Sequence, residues 1–369
     1  MRPKGSGAGA SAALALLDDI PVSPASRRLA SAPAALGTRP IVLSPRAARV
    51  ELQSFTGSRA GNFFFVGIKM RVLLFGSGAM SCFFAARLAG VAQVTIIGTW
   101  VEGIDAVRQR GVLLEDSQGI RTVRVEAEYL GADLAPSDIA IILVKSWQTE
   151  RVARHLPQYL RSDAFAVSLQ NGLGNLELLG SRAFPGATAE GATLVGPGHV
   201  RAGGAGRTYM VASEWAVNLF RSAGFECYRC GPQEAESLLW GKLAVSCGIN
   251  PLTALLRIQN GELLKRPSAT DLMVRAAKEC AAIAGAKGIV LPFADAAARV
   301  REVAEKTATN QSSMLQDVMR GAQTECDVIN GAIVSEGRRL GISTPVNEVL
   351  WKLVQAAVHP NRNDFRQCG

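Results

Sequence analysis

Short unbroken apolar runs alternate with stretches of helical periodicity from Arg71 onward. RVLLF (71–75), VTIIG (94–98), IAIILV (139–144) and FAVSL (165–169) are runs of this kind. Continuous apolar character is typical of parallel strands that are covered on both faces. FFAARLAG, between the first two runs, has the pattern of a helix. This alternation predicts an α/β fold built on an open, largely parallel sheet.

A glycine turn, GSGAMS (76–81), directly follows the first of these strands. Gly76 permits a tight turn, and Gly78 lets the backbone approach a pyrophosphate whose charge is stabilised at the N-terminus of the next helix. Ser81 holds the place of the third glycine of the dinucleotide fingerprint and is small enough for close packing. Because the turn lies between a strand and a helix, it predicts a Rossmann-like dinucleotide-binding domain. An ordinary strand-to-helix turn is the alternative.

The end of the second strand usually distinguishes NAD from NADP. An acidic residue there binds the ribose hydroxyls, whereas a nearby arginine accepts the 2′-phosphate. Thr99 and Trp100 occupy this place and belong to neither class. This position therefore does not distinguish NAD from NADP.

Polar residues follow two further strands. Lys145-Ser146-Trp147-Gln148 comes after IAIILV, and Gln170-Asn171-Gly172 comes after FAVSL. Open α/β sheets bind ligands at the carboxyl ends of their strands, so both clusters are candidates for a site, although Asn171-Gly172 is equally a turn pair. AGGAGRTYMV (202–211) suggests an edge hairpin that closes the domain.

Helical patterns dominate after Leu238. The predicted helices cover 239–263, 271–289, 312–342 and 346–358. The first is expected to break at Pro251, and Ser312 or Ser313 is placed to cap the third. We therefore predict a Rossmann-like dinucleotide-binding domain over 70–233 and an all-helical C-terminal domain over 234–359, with Cys230–Glu236 as the linker.

A polar stripe marks the first of these helices. Lys242, Ser246 and Asn250 are spaced at i, i+4 and i+8, which places them on one side of a helix whose other residues are largely apolar. A solvated helix face is the alternative. The three histidines lie in unpromising contexts for proton donation, on a surface helix, in a turn and in the tail. Lys242 is then the candidate general acid, and Glu325 a carboxylate that could orient it or hold the cofactor ribose.

Composition limits the other classes of function. No apolar run approaches the ~20 residues of a membrane helix, so no membrane association is expected. The net charge is +9, but residues 1–69 carry +6 of it and the rest only +3, which gives little reason to expect nucleic acid binding. Seven cysteines at odd spacings and three histidines offer no four-ligand metal site, so reduced thiols and a cytoplasmic location are predicted.

The two termini are excluded from the fold prediction. Residues 1–69 are rich in Ala, Ser, Pro, Gly and Arg without periodicity and are expected to be a disordered leader. They are either a targeting presequence, which leaves organellar import open, or an extension upstream of a working start at Met70. Residues 360–369 are expected to be a frayed tail.

Several separated motifs together resemble the ketopantoate reductase (2-dehydropantoate 2-reductase) family. They are FGSGAMS, LVKSWQTE, LQNGLGN, GATLVGPGHV, WGKLAVSCGINPLTAL with IQNGEL, and NQSSMLQDV with TECDVING. The likeness spans roughly Met70 to Ala357. It implies reduction of 2-dehydropantoate to pantoate by NADPH, with NADH not excluded, in pantothenate and coenzyme A synthesis. It also implies a small 2-keto acid as the partner and a monomer or homodimer.

The resemblance assigns roles to individual residues. It implies that Lys242 is the proton donor and that Glu325 lies beside substrate and nicotinamide. Its substrate-binding positions are Asn171, Ser246, Asn250, Asn260 and Ser313. Its cofactor-binding positions are Gly76, Ser77, Gly78, Ala79, Met80, Ser81, Lys145, Gln148, Asn171, Ala192 and Glu325.

Three departures from the family pattern affect these expectations. Ser246 stands where the family usually has asparagine, so one substrate contact is longer or bridged by water. Ser81 replaces the third glycine. Thr99 replaces the arginine that often meets the 2′-phosphate, which leaves Lys145 to meet it alone. The alternatives are the same chemistry on another branched 2-keto acid, with NADH as a possible donor, and a non-catalytic nucleotide sensor.

Overall fold

The computed structural model of the protein describes residues 69–204 and 206–358. A sheet-containing part up to Arg229 precedes an all-helical part, so the predicted α/β fold with a helical C-terminal region is confirmed. The expected tail, and the expected leader apart from Lys69, lie outside the described residues.

Two sheets account for the strands of the described residues. The strands are β1 (Arg71–Phe75), β2 (Gln93–Gly98), β3 (Val112–Asp116), β4 (Gly119–Val123), β5 (Glu126–Tyr129), β6 (Ser137–Ile142), β7 (Leu160–Ser168), β8 (Ala183–Thr188), β9 (Ala192–Gly196), β10 (His199–Ala202), β11 (Thr208–Met210) and β12 (Cys227–Arg229). The large sheet has the order β12-β11-β8-β7-β6-β1-β2-β5, and the small one β4-β3-β10-β9. Every neighbouring pair of the large sheet is parallel except β8 and β11.

The helices of the described residues lie on both faces of the large sheet and in the C-terminal part. They are α1 (Ala79–Leu88), α2 (Val101–Arg110), α3 (Thr149–Tyr159), α4 (Asn175–Leu179), α5 (Glu214–Ser222), α6 (Pro232–Leu256), α7 (Pro267–Ala286), α8 (Ala296–Lys306), α9 (Ser313–Met319), α10 (Asn330–Leu340) and α11 (Pro345–Ala357). Short 3₁₀ turns cover Ser146–Gln148 and Asn260–Leu263.

Strand β1 lies at the switch point of the large sheet. β2 pairs with one of its edges and β6 with the other, so strands are added in opposite directions from β1. Val72 and Leu74 belong to a buried cluster on one face, whereas Leu73 and Phe75 belong to a cluster on the other. Burial on both faces explains why the strand is apolar without alternation. Open sheets of this kind bind ligands at the carboxyl end of the switch point.

Helix α6 is the core helix of the C-terminal part. It is long and apolar enough to span a membrane by length and composition, but 83% of its apolar window is buried inside the protein. The expected break at Pro251 is wrong, since the helix continues to Leu256. Pro251 has no N–H to donate to the carbonyl of Cys247, and Asn330 Nδ2 donates to that carbonyl instead, at 3.0 Å.

Three other expectations also differ from the structure. The segment 202–211 is not a hairpin, because β10 belongs to the small sheet and β11 to the large one. His199 lies at the start of β10 rather than in a turn, and β10 pairs with β9. The expected linker is shorter, because α6 begins at Pro232, a residue that favours the first turn of a helix.

The predicted helix over 312–342 is two helices. α9 ends at Met319, Gly321 follows with φ +67°, and α10 begins at Asn330. Ser312 caps α9, its hydroxyl accepting from the N–H of Leu315 at 3.0 Å. The irregular segment between the helices carries Glu325 to the sheet.

Candidate active site

A cleft of about 500 Å³ lies between the carboxyl edge of the large sheet and the helical part. It is lined by the glycine turn, the ends of β2 and β6, the loop after β7, and side chains from α6 and α9. Of the expected cofactor residues, those that line it are Gly76, Ser77, Gly78, Ala79, Met80, Lys145, Gln148, Asn171, Ala192 and Glu325.

The glycine turn has the geometry that a pyrophosphate requires. Gly76 has φ +120°, and a Cβ there would lie 2.8 Å from Ser81 Oγ and 3.3 Å from the Leu143 carbonyl. A Cβ on Gly78 would meet nothing within 4 Å, because this residue faces the cleft. Gly78 precedes α1 and supplies no side-chain cap, so the first N–H groups of that helix are left for a ligand. Ser81 lies beneath the turn and is buried.

Lys242 projects from α6 into the same cleft. Its Nζ donates to the carbonyl oxygen of Thr188, at the end of β8, at 2.9 Å. Burial, partly offset by the charge of Glu325, lowers the pKa of Lys242 to about 8. The ammonium thus lies beside the strand ends and releases its proton more readily than an exposed lysine.

Glu325 joins the helical part to the sheet. Its side chain is 6% exposed and accepts from Lys145 Nζ at 3.4 Å, from the Ser146 backbone N–H at 3.3 Å and from Asn171 Nδ2 at 3.3 Å. These three donors all follow carboxyl ends of parallel strands. In this arrangement the carboxylate fixes Asn171 and Lys145 at the mouth of the cleft.

Asp317 is the second carboxylate at this junction, and the sequence analysis did not single it out. Lys145 Nζ lies 2.7 Å from its Oδ2. Burial alone would lower the pKa of Lys145, but Glu325 and Asp317 outweigh it and raise that pKa. Burial raises the pKa of Asp317, because Lys145 offsets only part of the desolvation. Lys145 is thereby engaged by two acids of the protein.

The substrate positions implied by the resemblance are only partly brought together. Ser313 and Asn171 line the cleft, while Ser246 lines a neighbouring cavity of about 10 Å³ that Lys242 also reaches. Asn250 is buried farther along α6. Asn260 Nδ2 donates to Thr307 Oγ1 at 2.9 Å inside the helical part. The predicted stripe therefore leads away from the cleft, and the roles of Asn250 and Asn260 stay predictions.

Other residues that line the cleft were missed from the sequence. Asp317 follows Ser313 by four residues on α9, so helical spacing could have shown that the two share a face. Glu190 follows β8, and Arg151 lies in the first turn of α3. Glu190 comes two residues after a strand end, the feature that identified Lys145 and Asn171, whereas Arg151 follows Gln148 at the i+3 spacing of a helix face.

The described cysteines take no part in this cleft. Six are buried free thiols. Burial raises the pKa of Cys227 and of Cys230 to about 12, so neither is a reactive thiolate at neutral pH.

Comparison with known proteins matches both parts of the chain. Residues 72–215 match Ketopantoate reductase PanE/ApbA, and residues 234–358 match Ketopantoate reductase PanE/ApbA C terminal. A 2-dehydropantoate 2-reductase of Archaeoglobus fulgidus is 34% identical over 300 residues, covering 77% of this chain and 97% of that protein. The structure of a PanE/ApbA family ketopantoate reductase from Ralstonia eutropha JMP134 is 30% identical with a TM-score of 0.73, covering 78% of this chain and 98% of that one.

Two structures of lower identity share the fold. D-mandelate dehydrogenase with NADH and anilino(oxo)acetate is 23% identical with a TM-score of 0.73 and covers 78% of this chain and 98% of its own. A dimeric ketopantoate reductase from Staphylococcus aureus is 20% identical with a TM-score of 0.66, over the same shares of both chains.

Proposed function

Since the chain belongs to the ketopantoate reductase PanE/ApbA family, as its motifs indicated, we propose that it reduces 2-dehydropantoate to pantoate with NADPH. Membership makes it a nicotinamide-dependent oxidoreductase; the substrate and the phosphate of the cofactor are the proposed part. The placement of Lys242 carries the proposal, because the cleft that the glycine turn enters also contains an ammonium with a pKa lowered to about 8. The reaction would serve pantothenate and coenzyme A synthesis, in the cytoplasm.

The residues of the cleft fit a dinucleotide. Gly76 to Met80 would hold the pyrophosphate at the N-terminus of α1, where Gly78 leaves open space. Gln148 and Ala192 also line the cleft. When bound, the nicotinamide supplies a hydride to the C2 carbonyl carbon of the keto acid.

Lys242 would supply the proton of the reaction. As C2 accepts the hydride, its oxygen becomes an alkoxide, and the Lys242 ammonium transfers a proton from Nζ to that oxygen. A lysine of ordinary pKa would be a weaker acid for this step. The neutral amine then regains a proton from solvent. Glu325, which raises the pKa of Lys242, keeps the ammonium protonated at neutral pH.

The substrate contacts follow as separate proposals. Ser313 and Asn171 line the cleft and would bind the carboxylate and hydroxyl groups of the keto acid. Ser246 would contact it from the small neighbouring cavity. Asn250 and Asn260 are kept as proposed contacts, and because they lie deeper in the helical part, we expect their alanine variants to change KM less than Ser313→Ala does.

A steady-state assay tests the proposal. Catalytic efficiency is measured with 2-dehydropantoate, phenylglyoxylate and an unbranched 2-keto acid, each with NADPH and with NADH. We expect the highest kcat/KM for 2-dehydropantoate with NADPH. In Lys242→Ala, the kcat/KM for this pair should fall. A higher efficiency with phenylglyoxylate would replace the proposed substrate. Cofactor oxidation that depends on added keto acid would exclude the alternative of a non-catalytic nucleotide sensor, whereas its absence with every acid would favour that alternative.

A different 2-keto acid is the second candidate. Ser246 is shorter than asparagine and has no amide, which leaves room beside Lys242. A protein of the same fold is named D-mandelate dehydrogenase, and mandelate carries an aromatic side chain. If this candidate is right, Ser246→Asn should lower efficiency with phenylglyoxylate and raise it with 2-dehydropantoate. A monomer or a homodimer is proposed for the assembly, since a relative of this fold is dimeric.

A further inference from the structure

Arg151 differs from the other cations of the cleft in having no protein partner. Lys145 and Arg320 both contact Asp317, and Lys242 donates to Thr188. The guanidinium of Arg151 makes no hydrogen bond or ion pair with residues 69–204 or 206–358. It is exposed and lines the cleft, so an anionic ligand there can reach it.

The position of Arg151 relative to the sheet indicates which part of a dinucleotide it meets. Gln148, Arg151 and Val152 follow one another at i, i+3 and i+4, and all three line the cleft. Gln148 Nε2 donates to Thr99 Oγ1 at 3.2 Å. This bond places the start of α3 against the end of β2, where the adenosine ribose lies in folds of this type. Arg151 is one helical turn beyond that contact.

We propose that Arg151 binds the 2′-phosphate of NADPH, with the hydroxyl of Thr99 as a second donor. A guanidinium binds phosphate through two parallel hydrogen bonds, and the charge of the phosphate matches an arginine that no protein acid neutralises. Lys145 is less suited to this role than its position in the sequence indicated. Its ammonium is engaged by Asp317 and Glu325, and these two carboxylates would repel a phosphate dianion.

This inference rests on the proposed function only in taking the cleft as the dinucleotide site. The test therefore uses nucleotide fragments that need no substrate. Binding of 2′,5′-ADP and of 5′-AMP to the full chain is measured by isothermal titration calorimetry, for the parent and for Arg151→Gln. We expect the parent to prefer 2′,5′-ADP. Arg151→Gln should lower that affinity about tenfold and change 5′-AMP affinity less than about twofold, as expected for one charge-assisted contact near the surface.

Two further variants make the result specific. Arg154→Gln is the matched control, because Arg154 lies on the same helix, pairs with Glu150 and does not line the cleft. It should leave both affinities unchanged. Arg151→Lys keeps the charge without the planar fork and should retain part of the preference.

The proposal is overturned if the parent binds both fragments equally, if Arg151→Gln lowers both affinities alike, or if Arg154→Gln has the same effect. These outcomes are distinguishable from failure of the proposed reaction. A chain that turns over no 2-dehydropantoate but shows the Arg151-dependent preference would refute the substrate and support the phosphate site.

Discussion

Replacing Lys242 with methionine should lower turnover about 10²-fold or more while stabilising the free protein. Methionine has nearly the length of the lysine stem but carries no charge to desolvate. Burial lowers the pKa of Lys242 from 10.5 to about 8, so the charged lysine is less stable in the folded protein than in the unfolded chain. At about 1.4 kcal/mol per unit, the charged form is penalised by about 3 kcal/mol.

Removing the charge relieves this penalty, but part of the stabilisation is lost because the hydrogen bond of Lys242 is removed as well. The Thr188 carbonyl accepts from Nζ at 2.9 Å, and removing its donor costs about 1 kcal/mol. Lys242 is partly open to the cleft, so the true desolvation penalty of its charge is smaller than about 3 kcal/mol. We therefore expect a net gain of about 1–2 kcal/mol in the free energy of unfolding at neutral pH.

The dependence on pH has a definite sign. Because the folded pKa is below the unfolded one, the unfolded chain binds more protons between about pH 8 and 10.5, and the stability of the parent rises with pH in that window. The penalty is fully present below pH 8 and absent above 10.5. The advantage of Lys242→Met should accordingly disappear as the pH is raised through the window.

Urea unfolding at pH 7 and pH 10, together with kcat/KM from pH 6 to 10, measures both effects. The parent should lose kcat/KM above a pKa near 8, and Lys242→Met should lose about 10²-fold or more at neutral pH. Lys278→Met, at an exposed position of α7, is the control and should change neither property. A parent profile without an alkaline limb, or a variant less stable than the parent at pH 7, would refute the assignment of a buried general acid.

Further changes test the surroundings of this lysine. Glu325→Gln should move the alkaline limb of kcat/KM to lower pH, since Glu325 raises the pKa of Lys242; a limb that stays in place would show that the two groups do not interact. Gly76→Ala should weaken NADPH binding and cost about 1–3 kcal/mol in urea unfolding, because φ is +120° and the new Cβ lies 2.8 Å from a serine oxygen. Gly285→Ala, where a Cβ meets nothing, is its control. Asp317→Asn should gain stability relative to the parent as the pH rises above 3.8, the ordinary pKa of this carboxyl, because a raised folded pKa makes the parent lose stability as the pH rises from there through the folded pKa. An unchanged difference across this range would contradict the raised pKa.

Local periodicity predicted the fold well because both faces of the large sheet are buried. The runs at β1, β2, β6 and β7 are predominantly apolar without alternation, and this pattern allows few structures other than a covered parallel strand. Helix interruptions were predicted less well. Pro251 remains inside α6 because Asn330, 79 positions later, donates to the carbonyl that the proline leaves unpaired. No local window contains that partner.

By itself, the sequence determined the four central strands β1, β2, β6 and β7, the helical character of the C-terminal part, the glycine turn and the family, since each depends on residues that are neighbours along the chain. Only the tertiary structure decided which side chains meet. It joins Lys145 to Asp317 and Glu325 across more than 170 positions, and it leaves Arg151 without an acidic partner in the cleft that Thr99 also lines. It also directs Asn250 and Asn260 into the helical part, although the spacing of Asn250 from Lys242, and the family resemblance for Asn260, suggested a shared site. The physical reason is that charge pairing and burial depend on distances in space, and helical spacing fixes a face without fixing what packs against it.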